Sequence, residues 1–123
     1  MTIGIINRAI KEANKSTCHP YKVGAVVFKN NRIISSGHNQ IRHNSINNKY
    51  KKYKEALHAE QDAVLGLDWN NIKGCSILVV RLNYNGNISM GKPCDMCTNM
   101  IKYIGIKKIY YSNYNGEIVL EKL

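Results

Sequence analysis

The stretch Lys92-Pro93-Cys94-Asp95-Met96-Cys97 decides how the rest of the chain is read. Thiols at i and i+3 face one way on a helix. Proline just before the first thiol suits a helix start, where its missing N–H costs no hydrogen bond and its fixed φ is already helical. The spacing therefore predicts Cys94 and Cys97 in the first turn of a helix. There the positive end of the helix dipole lowers thiol pKa and favours thiolate, the form that binds metal. A C-x-x-C pair alone fits a redox dithiol or a structural zinc knuckle equally well, so its partners matter.

Upstream, His58-Ala59-Glu60 opens an apolar-periodic run that continues through Ala63, Val64 and Leu67. His58 with Cys94 and Cys97 makes three protein donors. That leaves the fourth tetrahedral position of zinc open to water, as a catalytic rather than a structural site requires. Zinc lowers the pKa of such a water towards neutrality. Glu60, close to the metal but not needed as a ligand, is then placed to take and hand on a proton.

At 123 residues, 44% hydrophobic and 21% charged, the chain has apolar material for one core, and we read residues 1–123 as a single domain. Met1 to Ala13 carries Arg8 and Lys11 and no apolar run long enough for a signal peptide or membrane span, so a cytoplasmic protein with no membrane partner is expected. In that compartment the four cysteines favour free thiols and metal binding over disulfides, with Cys18 and Cys75 as spectators. The net charge of +10 invites a phosphate-bearing partner. The joint enrichment in Lys, Asn, Ile and Tyr is also what an AT-rich coding sequence produces, so charge alone does not choose a substrate.

Ile3, Ile6, Ile10 and Ala13 predict an amphipathic first helix that stops near Asn14. Lys22 to Phe28 and Arg32 to Gly37 read as a hairpin around Asn30-Asn31, whose tolerance of positive φ suits a tight turn. The second helix is expected to run from about Ala59 to between Asp68 and Asn71. Cys75 to Leu82 is a β-branched run of the kind buried on both faces of a sheet. The Asn83-Tyr84-Asn85-Gly86-Asn87 cluster that follows rims a site or closes a hairpin, which leaves Arg81, Tyr84 and Lys92 as candidate substrate contacts. Cys97, Met100, Ile101 and Ile104 line the third helix, with Gly105 as its C-terminal cap. Ile106 to Ser112 is the fourth strand. The residues after it are too few for a helical crossover, so a fifth strand must return antiparallel.

The pairing of H-x-E with P-C-x-x-C is the zinc deaminase signature. On His58-Ala59-Glu60, Pro93-Cys94 and Cys97, with Val23-Gly24-Ala25-Val26-Val27 and Gly37-His38-Asn39, the chain resembles the cytidine and deoxycytidylate deaminase superfamily over most of its length. The resemblance implies a three-layer α-β-α domain with a mixed five-stranded sheet, one zinc per chain, and hydrolysis of a cytosine amine to give uracil and ammonia. It further implies that Asn39 holds the sugar, that the backbone at Ala59 holds the base carbonyl, and that the protein is a homo-oligomer. Nucleoside-specific members usually carry a glutamate where this chain has Ile41, which departs from a plain cytidine enzyme. His43 lacks the cysteine companions that a second zinc would need.

Lys49, Tyr50, Lys51, Lys52, Tyr53 and Lys54 interleave cations with aromatics directly before His58, suited to a nucleotide phosphate, to single-stranded nucleic acid, or to solvent alone. A free cytosine nucleotide or nucleoside is the expected substrate, and the similarity of Ser16-Thr17-Cys18, Val23-Gly24-Ala25 and His58-Ala59-Glu60-Gln61 to deoxycytidylate deaminases puts deoxycytidylate first. A deaminase of cytosine or adenine in single-stranded DNA or an RNA loop, and an inactive zinc-bearing domain that binds nucleotides or a partner, are the alternatives.

Overall fold

The computed structural model describes residues 1–18, 20–42 and 55–123. Its first helix, α1 (Ile3–Ala13), forms as expected, but the buried stripe is Ile5, Ala9, Glu12 and Ala13 rather than one containing Ile3, which is 75% exposed. The reason lies in the strand beneath it. A Cβ on Gly24 would run into the Ala9 carbonyl and lie 2.6 Å from the Ala13 nitrogen, so helix and strand backbones touch along the small residues.

Gly24 lies in β1 (Lys22–Lys29), which turns at Asn30, φ 55°, into β2 (Arg32–His38). Side chains on β2 alternate between faces, as a pleated strand requires. Ser36 and His38 reach Glu12 of α1, whereas Ser35 donates to the Ala63 carbonyl on the opposite face and a Cβ at Gly37 would lie 2.5 Å from the Ala63 nitrogen. A small ribbon follows, β3 (Gln40–Arg42) against β4 (Glu55–Leu57). Then comes α2 (Ala59–Val64). It is shorter than the periodicity predicts, because Leu65 is already extended at ψ 126° and Gly66 takes φ 82°; residues Trp69–Asn71 form a separate 3-10 turn.

The apolar run becomes β5 (Ser76–Leu82), the central strand, with Ile77, Val79 and Arg81 towards α2 and Leu78, Val80 and Leu82 towards α1. After it come β6 (Ile88–Ser89), α3 (Asp95–Ile104), β7 (Lys108–Ser112) and β8 (Ile118–Lys122). The sheet order is β2-β1-β5-β7-β8, antiparallel except for β5 with β7, and β6 pairs with the end of β5. The five long strands and the antiparallel return of β8 are as expected; the two-residue β6 is an addition to that sheet. Helix α1 covers one face, and α2 and α3 the other, each face with its own apolar core. Helix α3 ends on Gly105 at φ 105°, as the left-handed C-cap requires.

Two later hairpin turns carry the same four residues. Asn83-Tyr84-Asn85-Gly86 joins β5 to β6 and Asn113-Tyr114-Asn115-Gly116 joins β7 to β8. In each, the first asparagine's Oδ1 accepts the backbone N–H groups two and four residues on, at 2.9–3.0 Å, and the glycine has positive φ. Among the described residues no helix is long and apolar enough to cross a membrane.

Glu12 is the most heavily partnered of the described acids. It is 4% exposed and meets Lys15 Nζ at 3.0 Å, Ser36 Oγ at 2.9 Å, His38 Nδ1 at 3.2 Å and Arg8 Nε at 3.4 Å. Burial alone would raise its pKa, but the hydrogen bonds from Lys15, Ser36 and His38 outweigh it and hold the carboxyl at about 2 instead of 4.5. A carboxylate depressed on folding stabilises the protein above its unfolded pKa and loses that stabilisation as pH falls through the folded one. With Arg8 and Lys15 partly in solvent, about 2 kcal/mol is expected to be lost between roughly pH 5 and pH 2. Urea melts of Glu12→Gln against the parent protein check this: the difference between them should be full at pH 7 and shrink across that window.

Candidate active site

Three donors converge from two helix starts. His58 precedes the first residue of α2 with extended backbone, and Gln61 Oε1 accepts its N–H at 2.9 Å. Cys94 is the N-cap of α3, and Cys97 lies within the first turn, fully buried. Pro93 therefore stands before the cap rather than at the first helical position, and Cys94 sits at the cap rather than in the first turn, as its extended φ and ψ of −66° and 166° require. The thiols still share one side, because the cap and third helical position lie one above the other.

The His58 Nδ1 atom is 3.3 Å from Cys97 Sγ and 3.8 Å from Cys94 Sγ. Bonds of about 2.0 Å to nitrogen and 2.3 Å to sulfur at the tetrahedral angle put those atoms about 3.5 Å apart. The observed distances bracket that value, and all three donor atoms lie within 4.8 Å of one another. The donor set fits zinc in both softness and spacing. His58 turns Nδ1 towards both thiols, so that nitrogen is the one that would hold the metal.

Glu60, two residues past His58, is 5% exposed. Burial raises its pKa, while its own backbone N–H, the Cys97 thiol and the charge of His58 pull it back down. Cys97 is also pushed up, by burial first and then by the negative charge of Glu60 and the neighbouring Cys94. The Cys97 thiolate and the Glu60 carboxylate do not ionise side by side in a buried pocket on their own; a dication would reverse that balance. Chelation is accordingly expected to remove one zinc per chain and lower the thermal midpoint by at least about 5 °C, read by metal analysis and calorimetry.

Beside the donors is a cavity of about 270 Å³ whose lining includes Tyr21, Asn39, Ala59, Glu60, Val79 and Arg81. One rim is fixed by Ser112, which is fully buried at the end of β7. Its Oγ donates to the Ser89 carbonyl at 2.7 Å and accepts the Arg81 N–H at 3.2 Å, and its carbonyl accepts the Gly91 N–H at 2.8 Å. A Cβ on Gly91 would lie 2.7 Å from the Val79 carbonyl, so the chain presses flat against β5 before entering Lys92 and Pro93. This clamp delivers Cys94 to the donors.

Asn39 also lines the cavity, but both ends of its amide are engaged by backbone: Oδ1 accepts the Val23 N–H at 2.9 Å and Nδ2 donates to the Tyr21 carbonyl at 3.1 Å. Lys92 lies on the rim, 3.9 Å from Glu121 Oε2. Tyr84 is 79% exposed at its turn and is absent from the cavity lining. Cys18 and Cys75 are buried and apart from the donor group. His43, Lys49, Tyr50, Lys51, Lys52, Tyr53 and Lys54 lie outside the described residues. Tyr21 escaped the sequence reading, because its place depends on the pairing of β1 with β5. Val79, by contrast, was open to inference as the inward alternate of Arg81.

The family model for the cytidine and deoxycytidylate deaminase zinc-binding region matches residues 3–113. An uncharacterized deaminase from the luxG 3′ region of Aliivibrio fischeri is 34% identical over 94 residues, covering 72% of this chain and 56% of that protein, so the chain spans little more than half its relative's length. A deoxycytidylate deaminase of Mycobacterium phage D29 is 28% identical, covering 84% of this chain and 87% of its own.

Among solved structures, the dCMP deaminase of cyanophage S-TIM5 superposes in its apo form with TM-score 0.64 at 28% identity, covering 91% of this chain and 82% of that one. The same enzyme in complex with dCMP and dUMP gives 0.62 at 27%, with coverages of 93% and 85%. A cytidine deaminase of Burkholderia pseudomallei shares the fold, with TM-score 0.71 at 18% identity over 99% of this chain and 93% of that one. With a histidine and two thiols spaced for zinc, a buried glutamate beside them and this match along nearly the whole sequence, the chain belongs to the cytidine and deoxycytidylate deaminase family.

Proposed function

We propose that the protein is a hydrolytic deaminase that converts cytosine to uracil in a free nucleotide, with deoxycytidylate as the preferred substrate. The observation that carries this reading is the buried Glu60 carboxyl beside the His58, Cys94 and Cys97 donors, opening on a cavity. Zinc held by those donors supplies a Lewis acid that makes water nucleophilic near neutral pH. Glu60 takes a proton from that water and delivers it to the ring nitrogen, then carries the second proton to the departing amine. One water enters, ammonia leaves, and the base keeps the oxygen. A carboxyl raised by burial suits this work, because it must hold a proton between the steps and not only accept one.

Ala59 opens α2 and lines the cavity, and in this reading its backbone N–H donates to the base carbonyl. Asn39 ties down Tyr21 and Val23, which line the cavity, and in this reading that part of the lining takes the sugar. The choice of deoxycytidylate is supported by the phage D29 relative and by the S-TIM5 enzyme solved with dCMP and dUMP. The test is ammonia release by the zinc-loaded protein across cytidine, deoxycytidine, their mono- and triphosphates, and cytosine- or adenine-bearing oligonucleotides. Deoxycytidylate is expected to give the highest kcat/KM. Turnover of oligonucleotides alone would overturn the assignment.

A further inference from the structure

Arg81 is in an uncommon position for a cation. Its Nε is buried and has no hydrogen-bond partner, and its guanidinium carbon stands 3.5 Å from the centroid of the Tyr21 ring. A ring face attracts a cation but offers no lone pair, so the stacking holds the guanidinium in place without satisfying its donors. A buried charged donor left in this way is costly unless an acceptor arrives.

The platform is built for the purpose. Alternation along β5 puts Val79 and Arg81 on the same face, and both line the cavity, Val79 buried and Arg81 half-buried. The pairing of Val23 with Arg81 brings the end of β1 alongside, and the Asn39 amide ties down the Tyr21 carbonyl and the Val23 N–H. Tyr21, 43% exposed, lines the same cavity with Arg81 laid on it. The other described cation on the lining, Lys92, has a carboxylate 3.9 Å away in Glu121, whereas Arg81 has none within ion-pair distance among the described residues.

We propose that Arg81, stacked on Tyr21, binds the phosphate monoester of the substrate and so selects a nucleoside monophosphate over the nucleoside. The inference rests on the deaminase reading of the same cavity. A guanidinium presents paired N–H donors that match phosphate oxygens, and a terminal monoester brings nearly two negative charges where an internal phosphodiester brings one. Stacking on the Tyr21 ring face uses none of the in-plane N–H donors of the guanidinium.

The test is the kcat/KM ratio of deoxycytidylate to deoxycytidine in the parent protein, Arg81→Gln, Arg81→Lys and Tyr21→Leu. Arg81→Gln is expected to lower the ratio by about 30-fold, chiefly through KM for the nucleotide, and Arg81→Lys to recover part of it. An equal loss on both substrates, or a parent protein without preference for the nucleotide, would overturn the proposal.

If the parent protein turns over neither substrate, the deaminase reading fails, and titration calorimetry with dUMP, deoxyuridine and inorganic phosphate decides the phosphate site separately. Binding of dUMP at least tenfold tighter than deoxyuridine, competed by phosphate and lost in Arg81→Gln, supports it. Equal binding of the two overturns it. Should Arg81→Gln not fold, Arg81→Lys and Tyr21→Leu each predict a smaller drop in the same ratio, and no drop in either overturns the proposal.

Discussion

Replacing Glu60 with glutamine is expected to lower turnover at least about a thousandfold while leaving one zinc bound per chain. The argument separates the two duties of the site. His58, Cys94 and Cys97 provide the donors, and none of their distances depends on Glu60 carrying a charge. Glutamine keeps the volume of a side chain that is 5% exposed, so the packing around α2 should survive. It cannot pick up and release a proton, and that is the step assigned to Glu60.

Removing the carboxylate also removes one of the charges that push the Cys97 thiol upward. Zinc affinity should therefore hold or rise. Metal analysis together with ammonia release checks both halves. An activity above about a tenth of the parent's would mean that another group shuttles the proton, because loss of a general acid–base costs far more than that.

The second large effect is expected far from the chemistry. Gly24→Val should destabilise the fold by about 3 kcal/mol or more, measured by urea unfolding of the zinc-loaded protein. Even a Cβ at this position would strike the Ala9 carbonyl and approach the Ala13 nitrogen to 2.6 Å, and these are helix backbone atoms with no rotamer to give way. Relief requires α1 to lift, exposing Ile5, Ala9 and Ala13 on one side and Val26 and Leu78 on the other. Gly4→Ala makes the control: the nearest atom to its new Cβ is Thr2 Oγ1 at 3.8 Å, and alanine within a helix is favoured over glycine by up to about 1 kcal/mol. The two glycines of one chain should thus respond with opposite signs.

The donor set was legible in the sequence because its logic is local. Cys94 and Cys97 follow helix spacing, His58 and Glu60 open a periodic run, and the short connection from Ser112 to Ile118 gives β8 no route but to return antiparallel. The length of α2 was not legible. Leu67 continues the apolar period, but Gly66 at φ 82° had already turned the chain away.

Side-chain allegiance was harder still. Asn39 reads as a pocket residue from its position after Gly37-His38 and does line the cavity, but the tie of its amide to the backbone of Tyr21 and Val23 was not legible, because it exists only once β2 lies beside β1. The stacking of Arg81 on Tyr21 depends in the same way on strand register, which local patterns do not carry. The burial of Glu12 near the end of α1 follows from how closely that helix sits on Gly24, a tertiary contact that local patterns do not carry.

The paired Asn-Tyr-Asn-Gly turns have a kinetic consequence. Each closes a hairpin between residues only a few positions apart, whereas joining β5 to β7 must bring Ser76 against Lys108 with all of α3 in between. Loop closure costs more entropy the longer the loop, so the two hairpins are expected to form early and the parallel seam late. Cys94 and Cys97 lie on the segment between those hairpins, and His58 comes from elsewhere in the chain. The metal donors should therefore assemble near the end of folding, after both turns have closed.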